Sequence, residues 1–357
     1  MTEPLSLMYG IDLQTRCLIP VTAEQERTIF LVGTQSLRQD NELCVLEVDD
    51  DWLQISKKSF SHPSGEIWYL ASSPNDSEMV ATCHSSWNGK LETGATLWKM
   101  DYEGNAITAR ASFSSPPNTK RCTSFEFHPD GQKCTIVTDK TLHFNDVENS
   151  LKVINSMKTE CKGNINTASW NPHSNGSTVA VASDSSVKII DSRSYSITTV
   201  IENAHFPTVR NLDFNPNMQY ILATCGDDCK VALWDLRKVQ HPLKTLRDHS
   251  HWVWSVRFNP IHDQLLLSVG SDARLFLNCI ASLSSETLQD VDLVDGVEPM
   301  HPRLGDERLE KVEEHEESIY ACAWAGNDPW VFASLSFDGR LTISRVKRHH
   351  KYAILQL

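Results

Sequence analysis

The chain has 357 residues, and its 46 Asp and Glu against 33 Lys and Arg give a formal net charge of −13. Nucleic acids and anionic membranes both attract basic surfaces, so we expect no nucleic-acid partner and only indirect membrane association. Ten cysteines without a Cys-x-x-Cys pair favour a reduced, cytoplasmic protein, and no signal peptide or membrane span is recognisable.

Taken in chain order, the first predicted elements are strands. Alternating apolar residues indicate strands over residues 29–34 and 43–48, within a stretch that covers 9–49. A second stretch of this kind starts near residue 66 and reaches 98, with a turn at 87–90. Both stretches have the length of one multi-stranded unit.

The middle of the chain carries a repeat in which an aromatic residue is followed two positions later by proline. Its four copies, spaced 43, 44 and 44 residues apart, are Phe127-His128-Pro129, Trp170-Asn171-Pro172, Phe214-Asn215-Pro216 and Phe258-Asn259-Pro260. That period is typical of a four-stranded propeller blade. Two further apolar runs follow each copy, for example 219–225 and 230–234. The repeat therefore predicts strands joined by short turns.

Weaker copies complete the count. Units in the same register cover 122–146, 164–191 and 315–346, and together with the N-terminal stretches they make seven. We predict an all-β, seven-bladed β-propeller formed by residues 1–357 as a single domain, monomeric by itself. Closure of the ring requires the two chain ends to meet in or beside one blade, and residues 352–355 resemble a strand.

One blade is interrupted. Aligning the sixth unit with the fifth places its fourth strand at about 308–313, so residues 281–307 form an insertion between the third and fourth strands. The insertion is acidic and has few apolar residues, which predicts a mobile segment. It is either a tolerated surface loop or an acidic docking tether.

A set of polar residues in the fifth unit resembles a catalytic triad. His205, Thr224, Asp228 and Trp234 supply an imidazole, a hydroxyl and a carboxylate, which nucleophilic catalysis also uses. Their positions in the predicted strands instead favour a buried hydrogen-bonded tetrad that fastens a loop to the blade. Partial copies occur at His249, Ser268 and Asp272 and at His315, Ser334 and Asp338.

These residues also carry a family resemblance. Ala204-His205, Asp228 and Trp234-Asp235 resemble the Gly-His to Trp-Asp frame of WD40 repeats, and the resemblance covers essentially the whole chain. The glycine is replaced, Trp-Asp occurs in one unit only, and the third and fourth units lack the histidine. The resemblance implies a binding scaffold rather than an enzyme.

Longer strings are similar to one WD40 subfamily, which interacts with the endosome-associated recycling and Golgi-associated retrograde tethering complexes. They include Asn203-Ala204-His205, His249-Ser250-His251-Trp252-Val253-Trp254, Asp328-Pro329-Trp330 and Gly65-Glu66-Ile67-Trp68. The resemblance implies an adaptor for these complexes, recruited to the trans-Golgi network and endosomes. Endosomal recycling, endosome-to-Golgi retrograde transport and dense-core vesicle biogenesis are the implied processes, and no cofactor or metal is implied.

Equivalent positions of the blades suggest a partner-binding surface. Counting back from the aromatic-Pro repeat aligns Trp68, Thr123, Asn166, Arg210, Trp254 and Tyr320 in one column, which Trp252 flanks. Tryptophan, tyrosine and arginine dominate binding hot spots, so we predict partner contacts at Trp68, Arg210, Trp252, Trp254 and Tyr320. The alternative is that the tryptophans are wedged between blades.

The opposite face offers a second candidate. Trp234-Asp235-Leu236-Arg237 resembles the box by which some WD40 proteins dock onto a cullin ubiquitin ligase, with Asp235 and Arg237 as contacts. Local closure of the turn is the alternative for both residues. A third hypothesis is a propeller hydrolase that uses a metal or a carboxylate in the central channel. Acidic residues clustered at the inner ends of the first strands would support it, and the aligned column contains none.

Overall fold

A computed structural model of the protein describes residues 5–87, 89–285 and 304–356. These residues form seven antiparallel four-stranded sheets. The first strand of each sheet packs beside the first strand of the next, and the seventh packs beside the first. The predicted all-β, seven-bladed propeller is therefore confirmed.

The strands follow one another around the ring in chain order, apart from the first. Strand β1 covers Ser6–Gly10. Blade one contains β2 (Thr15–Pro20), β3 (Ile29–Thr34), β4 (Asn41–Val48) and β5 (Ile55–His62). Blade two contains β6 (Glu66–Ser72), β7 (Met79–Trp87), β8 (Leu91–Asp101) and β9 (Ala106–Ser114). Blade three contains β10 (Cys122–Phe127), β11 (Lys133–Thr138), β12 (Thr141–Asp146) and β13 (Lys152–Lys158).

The remaining blades have the same order. Blade four contains β14 (Ile165–Trp170), β15 (Thr178–Ser183), β16 (Ser186–Asp191) and β17 (Ser196–Ile201). Blade five contains β18 (Val209–Phe214), β19 (Ile221–Gly226), β20 (Val231–Asp235) and β21 (Lys244–Leu246). Blade six contains β22 (Val253–Phe258), β23 (Leu265–Gly270), β24 (Leu275–Cys279) and β25 (Glu307–Val312). Blade seven contains β26 (Ile319–Trp324), β27 (Val331–Ser336) and β28 (Arg340–Arg345), and helix α1 (Arg348–Leu355) follows it.

The ring is closed by the N-terminal strand. β1 pairs with β28 in antiparallel register, with Ser6 opposite Ser344 and Tyr9 opposite Leu341. The prediction that the chain ends meet in one blade is confirmed, whereas the predicted strand at 352–355 is wrong. Because β1 already occupies the outer edge of blade seven, the C-terminal residues form α1 instead, and Ile354 packs into the core between blades six and seven.

The core lies between the blades. Seven clusters of buried apolar side chains are each built from two neighbouring blades. Such packing makes each blade depend on both neighbours, because apolar burial is the main favourable term in folding. The ring therefore holds the inner strands in fixed positions around a central channel.

The aromatic-Pro repeat has a structural cause. Phe127, Trp170, Phe214 and Phe258 are the last residues of the first strands of their blades. In three copies the following residue is an asparagine whose side chain shapes the turn. Asn259 Oδ1, for example, accepts the backbone N–H groups of Ile261 at 3.0 Å and His262 at 2.8 Å. Side-chain bonding of this kind is why asparagine is favoured in tight turns.

The acidic insertion predicted at 281–307 lies largely outside the described residues, which omit 286–303. Its fourth-strand boundary is close to the prediction, because β25 begins at Glu307. Just before that strand, Asp306 pairs with Lys244 of blade five at 2.5 Å.

Candidate partner-binding site

Each first strand carries a β-bulge near its start. In blade five, Val209 is opposite Gly226 and Asn211 is opposite Cys225, so Arg210 is the extra residue. A bulge re-aims the side chain of its extra residue, and all seven extra residues line the central cavity. They are Arg16, Trp68, Thr123, Asn166, Arg210, Trp254 and Tyr320.

Six of these seven residues are the column aligned from the sequence, and Arg16 is the member that the alignment missed. Blade one lacks the aromatic-Pro repeat. Its first strand β2 ends at Pro20, and no aromatic residue precedes that proline in the strand. The bulge between Thr15 and Cys17 becomes visible only once the strand pairing is known.

The cavity at the channel mouth has a volume of about 480 Å³. Among the described residues that line it, five are basic and only one, Glu66, is acidic. The basic residues are Arg16, Lys120, Arg121, Arg210 and Arg257. A protein with a net charge of −13 thus has a positively charged channel mouth.

Arginine and aromatic side chains alternate along one side of this mouth. The guanidinium carbon of Arg16 lies 4.6 Å from the ring centre of Tyr320, 5.2 Å from Trp254 and 5.7 Å from Trp68. Arg210 lies 4.6 Å from Trp254 and 5.4 Å from Trp252. We call Trp68, Arg16, Tyr320, Trp254, Arg210 and Trp252 the cation–π arc, since each contact is of that type.

Hydrogen bonds to the second strand of the same blade, or to the residue directly after it, fix the arc. The indole N–H of Trp68 donates to Ser85 at 2.7 Å, and that of Trp254 donates to Ser271 at 2.6 Å. Arg210 makes a two-pronged ion pair with Asp227, at 2.6 and 2.8 Å. In all three blades the partner follows 17 positions after the bulge residue.

The arc faces the channel mouth rather than the core. Trp68 is 38% exposed and Trp252 is 41% exposed, while Trp254 and Tyr320 are half-buried against one another, with ring centres 4.8 Å apart. None of these four residues belongs to a core cluster between blades. Partner contact at these four residues stays a prediction, and their position at the channel mouth is compatible with it.

Arg16 is the least compensated charge in the arc. Burial lowers the pKa of its guanidinium, and the positive charges of Arg210 and Arg121 lower it further. Among the described residues, no carboxylate lies within 4.0 Å of Arg16 and no group accepts a hydrogen bond from it. Its five N–H donors are held over the cavity by aromatic contacts alone.

Two strongly exposed aromatic residues of the same face were missed by the alignment. Phe206, in the loop that enters β18, is 76% exposed, and Trp87, at the end of β7, is 70% exposed. Loops into first strands and loops between second and third strands share one face of a propeller, so both residues lie on the arc's side. Neither residue lies in a first strand, so the column of equivalent first-strand positions did not include them.

Deeper in the channel, four ionisable residues come from four blades. The hydroxyl of Tyr69 donates to Glu126, the backbone N–H of Phe258 donates to Asp213 at 2.8 Å, and the Arg257 guanidinium contributes a nearby positive charge. Burial raises the pKa of Glu126 to about 7 and that of Asp213 to about 6. Although burial opposes the charge of Arg257, the carboxylate of Asp213 and its other anionic neighbours raise its pKa.

These two carboxylates bear on the hydrolase hypothesis. Glu126 and Asp213 lie three positions beyond the bulge residues of their strands, a level that the sequence alignment did not examine. Both carboxylates lie close enough to Arg257 to raise the pKa of its guanidinium. Among the described residues, no group of three His, Cys, Asp or Glu side chains could hold a metal ion.

The polar tetrad of blade five lies away from the channel. His205 Nδ1 is 2.7 Å from Asp228 Oδ1, and its Nε2 is 2.8 Å from the hydroxyl of Thr224. The indole N–H of Trp234 donates to the same hydroxyl at 2.9 Å. His205 and Thr224 are buried, so a substrate cannot reach this hydroxyl. The hydrogen bond from His205 lowers the pKa of Asp228 although partial burial opposes this.

Related networks occur in three other blades. His249 contacts Asp272 and Ser268, and His315 contacts Ser334 and Ser336. Blade two has a network that the sequence alignment missed: His62 Nε2 lies 3.0 Å from the Thr82 hydroxyl, which also accepts the Trp98 indole N–H at 2.9 Å. The histidine of this blade belongs to the last strand of blade one, which concealed its equivalence.

On the opposite face, Asp235 and Arg237 contact each other. The Arg237 guanidinium donates to both carboxylate oxygens of Asp235, at 2.9 and 2.8 Å, and its face lies 4.8 Å from the Tyr220 ring centre. The side-chain hydrogen bond from Arg237 lowers the pKa of Asp235. This is the local closure of the turn that the sequence offered as the alternative to cullin docking.

Comparison with known proteins agrees with this architecture. A family model described as EIPR1 beta-propeller matches residues 4–278, and a model described as WD domain, G-beta repeat matches residues 307–343. The chain belongs to the EIPR1 beta-propeller family. The predicted resemblance to WD40 proteins is thereby confirmed.

Relatives of the EIPR1 family match along their full length. The chain is 41% identical to EARP and GARP complex-interacting protein 1 of Rattus norvegicus and 40% identical to that of Homo sapiens, with 99% of this chain and 100% of each relative covered. It is 37% identical to EARP-interacting protein 1 of Caenorhabditis elegans, over 98% of this chain and 99% of the relative.

None of the described helices is long and apolar enough to cross a membrane.

Proposed function

We propose that this protein is a non-enzymatic adaptor that binds the EARP and GARP tethering complexes through the face that carries the cation–π arc. The partner class rests on relatives named for interaction with these complexes, which match this chain from end to end. The observation that favours this face is the set of solvent-exposed anchors around the channel mouth.

The composition of that face supports protein binding. Trp68, Trp87, Phe206 and Trp252 are each between 38% and 76% exposed. Large exposed aromatics beside arginine are the residues that contribute most to protein interfaces. Exposed apolar side chains that lie together on a protein surface mark an interaction site. We therefore expect a partner to cover these residues of the monomeric propeller in the cytoplasm.

The proposed cellular role follows from the partner. The adaptor is recruited to the trans-Golgi network and endosomes by the tethering complexes, without binding nucleic acid and without contacting the membrane itself. There it supports endosomal recycling, endosome-to-Golgi retrograde transport and dense-core vesicle biogenesis.

Affinity purification of the tagged protein from cells tests this proposal. We expect subunits of the tethering complexes among the recovered proteins, and loss of these subunits when Trp252 and Trp68 are replaced by Ala. Recovery of a cullin adaptor alone, abolished by Arg237→Ala, would instead establish the ubiquitin-ligase alternative and contradict the proposal.

A further inference from the structure

Part of the positive charge at the channel mouth has no carboxylate partner among the described residues. The positive charges of Arg210 and Arg121 are both close enough to disfavour the charge of Arg16. Of these three arginines, Arg210 alone has an ion-pair partner among the described residues, Asp227. Bringing like charges together costs free energy, and a bound anion would recover it.

The free donors are well placed to bind an anion. The Arg16 guanidinium carbon lies over the rings of Trp68, Trp254 and Tyr320, and no described residue accepts a hydrogen bond from its N–H groups, so these donors can bind a ligand. Lys120 and Arg121 stand at the entrance to β10, across the same cavity. Their backbone N–H groups donate to Asp139 at 2.9 and 3.1 Å, which holds the loop while both side chains stay exposed.

A groove leads into this cavity from blade one. It has a volume of about 630 Å³ and is lined by the loops at residues 12–14 and 35–39. It shares Arg16, Glu66, Trp68 and Tyr320 with the channel mouth. The two cavities therefore adjoin one another at Arg16, so a ligand longer than a single side chain can reach both.

We propose that the groove and the channel mouth together receive an extended acidic segment of the partner, with its Asp or Glu carboxylates on Arg16 and Arg121. This inference rests on the proposed adaptor function and specifies the chemistry of the partner. A planar carboxylate matches the fork of a guanidinium, and such charge-assisted hydrogen bonds are among the stronger ones. The apolar walls provided by the arc exclude water and strengthen them.

The inference is tested with an array of overlapping peptides that cover the subunits of the EARP and GARP complexes, probed with the purified full-length protein. We expect the bound peptides to be rich in Asp and Glu, and their Asn/Gln versions to lose binding. Affinities measured in solution should fall as salt is raised. Failure to bind any acidic peptide, or selection of neutral or basic ones, would overturn the inference.

Single substitutions test whether Arg16 and Arg121 contact the acidic segment. Arg16→Gln and Arg121→Gln should each weaken the best acidic peptide by at least about tenfold, whereas Arg193→Gln, which removes an exposed charge on the opposite face, should leave affinity unchanged. Arg121 lies in an exposed loop, so its variant reports binding even if Arg16→Gln unfolds. Unchanged affinity in Arg121→Gln and in a folded Arg16→Gln would overturn the inference.

The two proposals fail in different ways. If purification from cells recovers the tethering complexes equally with the wild type, Arg16→Gln and Arg121→Gln, the adaptor function stands and the acidic-segment inference is wrong. If the wild type recovers no tethering subunit, the adaptor function itself is wrong, whatever the peptides show.

Discussion

The guanidinium carbon of Arg16 lies 4.6 Å from the ring centre of Tyr320, although these residues are 304 positions apart in a closed ring of seven blades. Blade one meets blade seven at this point, so the contact joins the first and last blades at the channel mouth. The strand pairing of β1 with β28 closes the outer edge of blade seven. The contact between Arg16 and Tyr320 links neighbouring inner strands and helps to form the proposed binding surface.

Exposed anchors of the arc are expected to contribute to binding without contributing to folding. Trp252→Ala removes a side chain that is 41% exposed, so the melting temperature should change by no more than about 2 °C. Arg210→Ala should lower it clearly, because the Asp227 side chain, 4% exposed, would lose its ion-pair partner at a cost of about 1–3 kcal/mol. Thermal unfolding of both variants distinguishes these outcomes, and a strongly destabilised Trp252→Ala would show that this residue is structural.

The tetrad of blade five is expected to be structural. His205→Ala leaves Asp228 and the buried Thr224 hydroxyl without their imidazole partner, and should reduce the free energy of unfolding by about 2–4 kcal/mol. His241→Ala, at an exposed position, is the matched control and should change it by less than about 0.5 kcal/mol. Chemical denaturation measures the free energy of unfolding of the two variants. Equal values for His205→Ala and His241→Ala would contradict the structural role of the tetrad.

Stability should depend on pH through Glu126. Its pKa is raised by burial to about 7, whereas an unfolded glutamate titrates near about 4.3. The folded protein therefore holds a proton that the unfolded chain has lost, and this contribution to stability is present at low pH and disappears as pH rises through about 7. Relative to Glu126→Gln, the wild type should lose on the order of 2 kcal/mol between pH 5 and pH 8.

Measuring the wild type relative to Glu126→Gln removes the contribution of other titrating groups to the pH dependence of stability. Burial lowers the pKa of His62, His84 and His315 to about 4, and these groups favour folding as pH rises, the opposite sign. Both proteins contain them, so their contribution cancels in the difference. Parallel stability curves for wild type and variant would contradict the assignment to Glu126.

Close packing between blades one and two is testable at a single glycine. A Cβ atom at Gly33 would lie 2.5 Å from Cγ2 of Ile67 and 2.7 Å from Sγ of Cys17. Gly33→Ala should therefore cost about 1–3 kcal/mol of stability. Gly10→Ala, where an added Cβ meets nothing within 4 Å, is the control and should be close to neutral. If the two variants unfold alike, the packing described at this interface is wrong.

The repeating part of the fold was predictable because the repeat has a physical cause. Each aromatic-Pro unit ends a first strand, so the alignment placed strand boundaries within a few residues and found six of the seven bulge positions. The seventh, Arg16, required the pairing of β2 with β3. No spacing in the sequence marks a bulge by itself.

Other features depended on tertiary context. Residues 352–355 have the composition of a strand, but β1 had taken the only open edge of blade seven, and α1 buries Ile354 instead. The exposure of Phe206 and Trp87 depends on loops that do not follow the repeat. The pairing of Asp235 with Arg237 likewise follows from the turn between the third and fourth strands, not from the box that those residues resemble.

The central claim is that the tethering complexes dock on the face of the cation–π arc. The most direct measurement is the affinity of purified EARP complex for the wild type, for Trp252→Ala and for Tyr220→Ala, in which the replaced aromatics are similarly exposed, 41% and 42%, but lie on opposite faces. We predict that Trp252→Ala weakens binding by at least about tenfold and that Tyr220→Ala binds like the wild type. Loss of affinity in Tyr220→Ala with full binding by Trp252→Ala would contradict the claim.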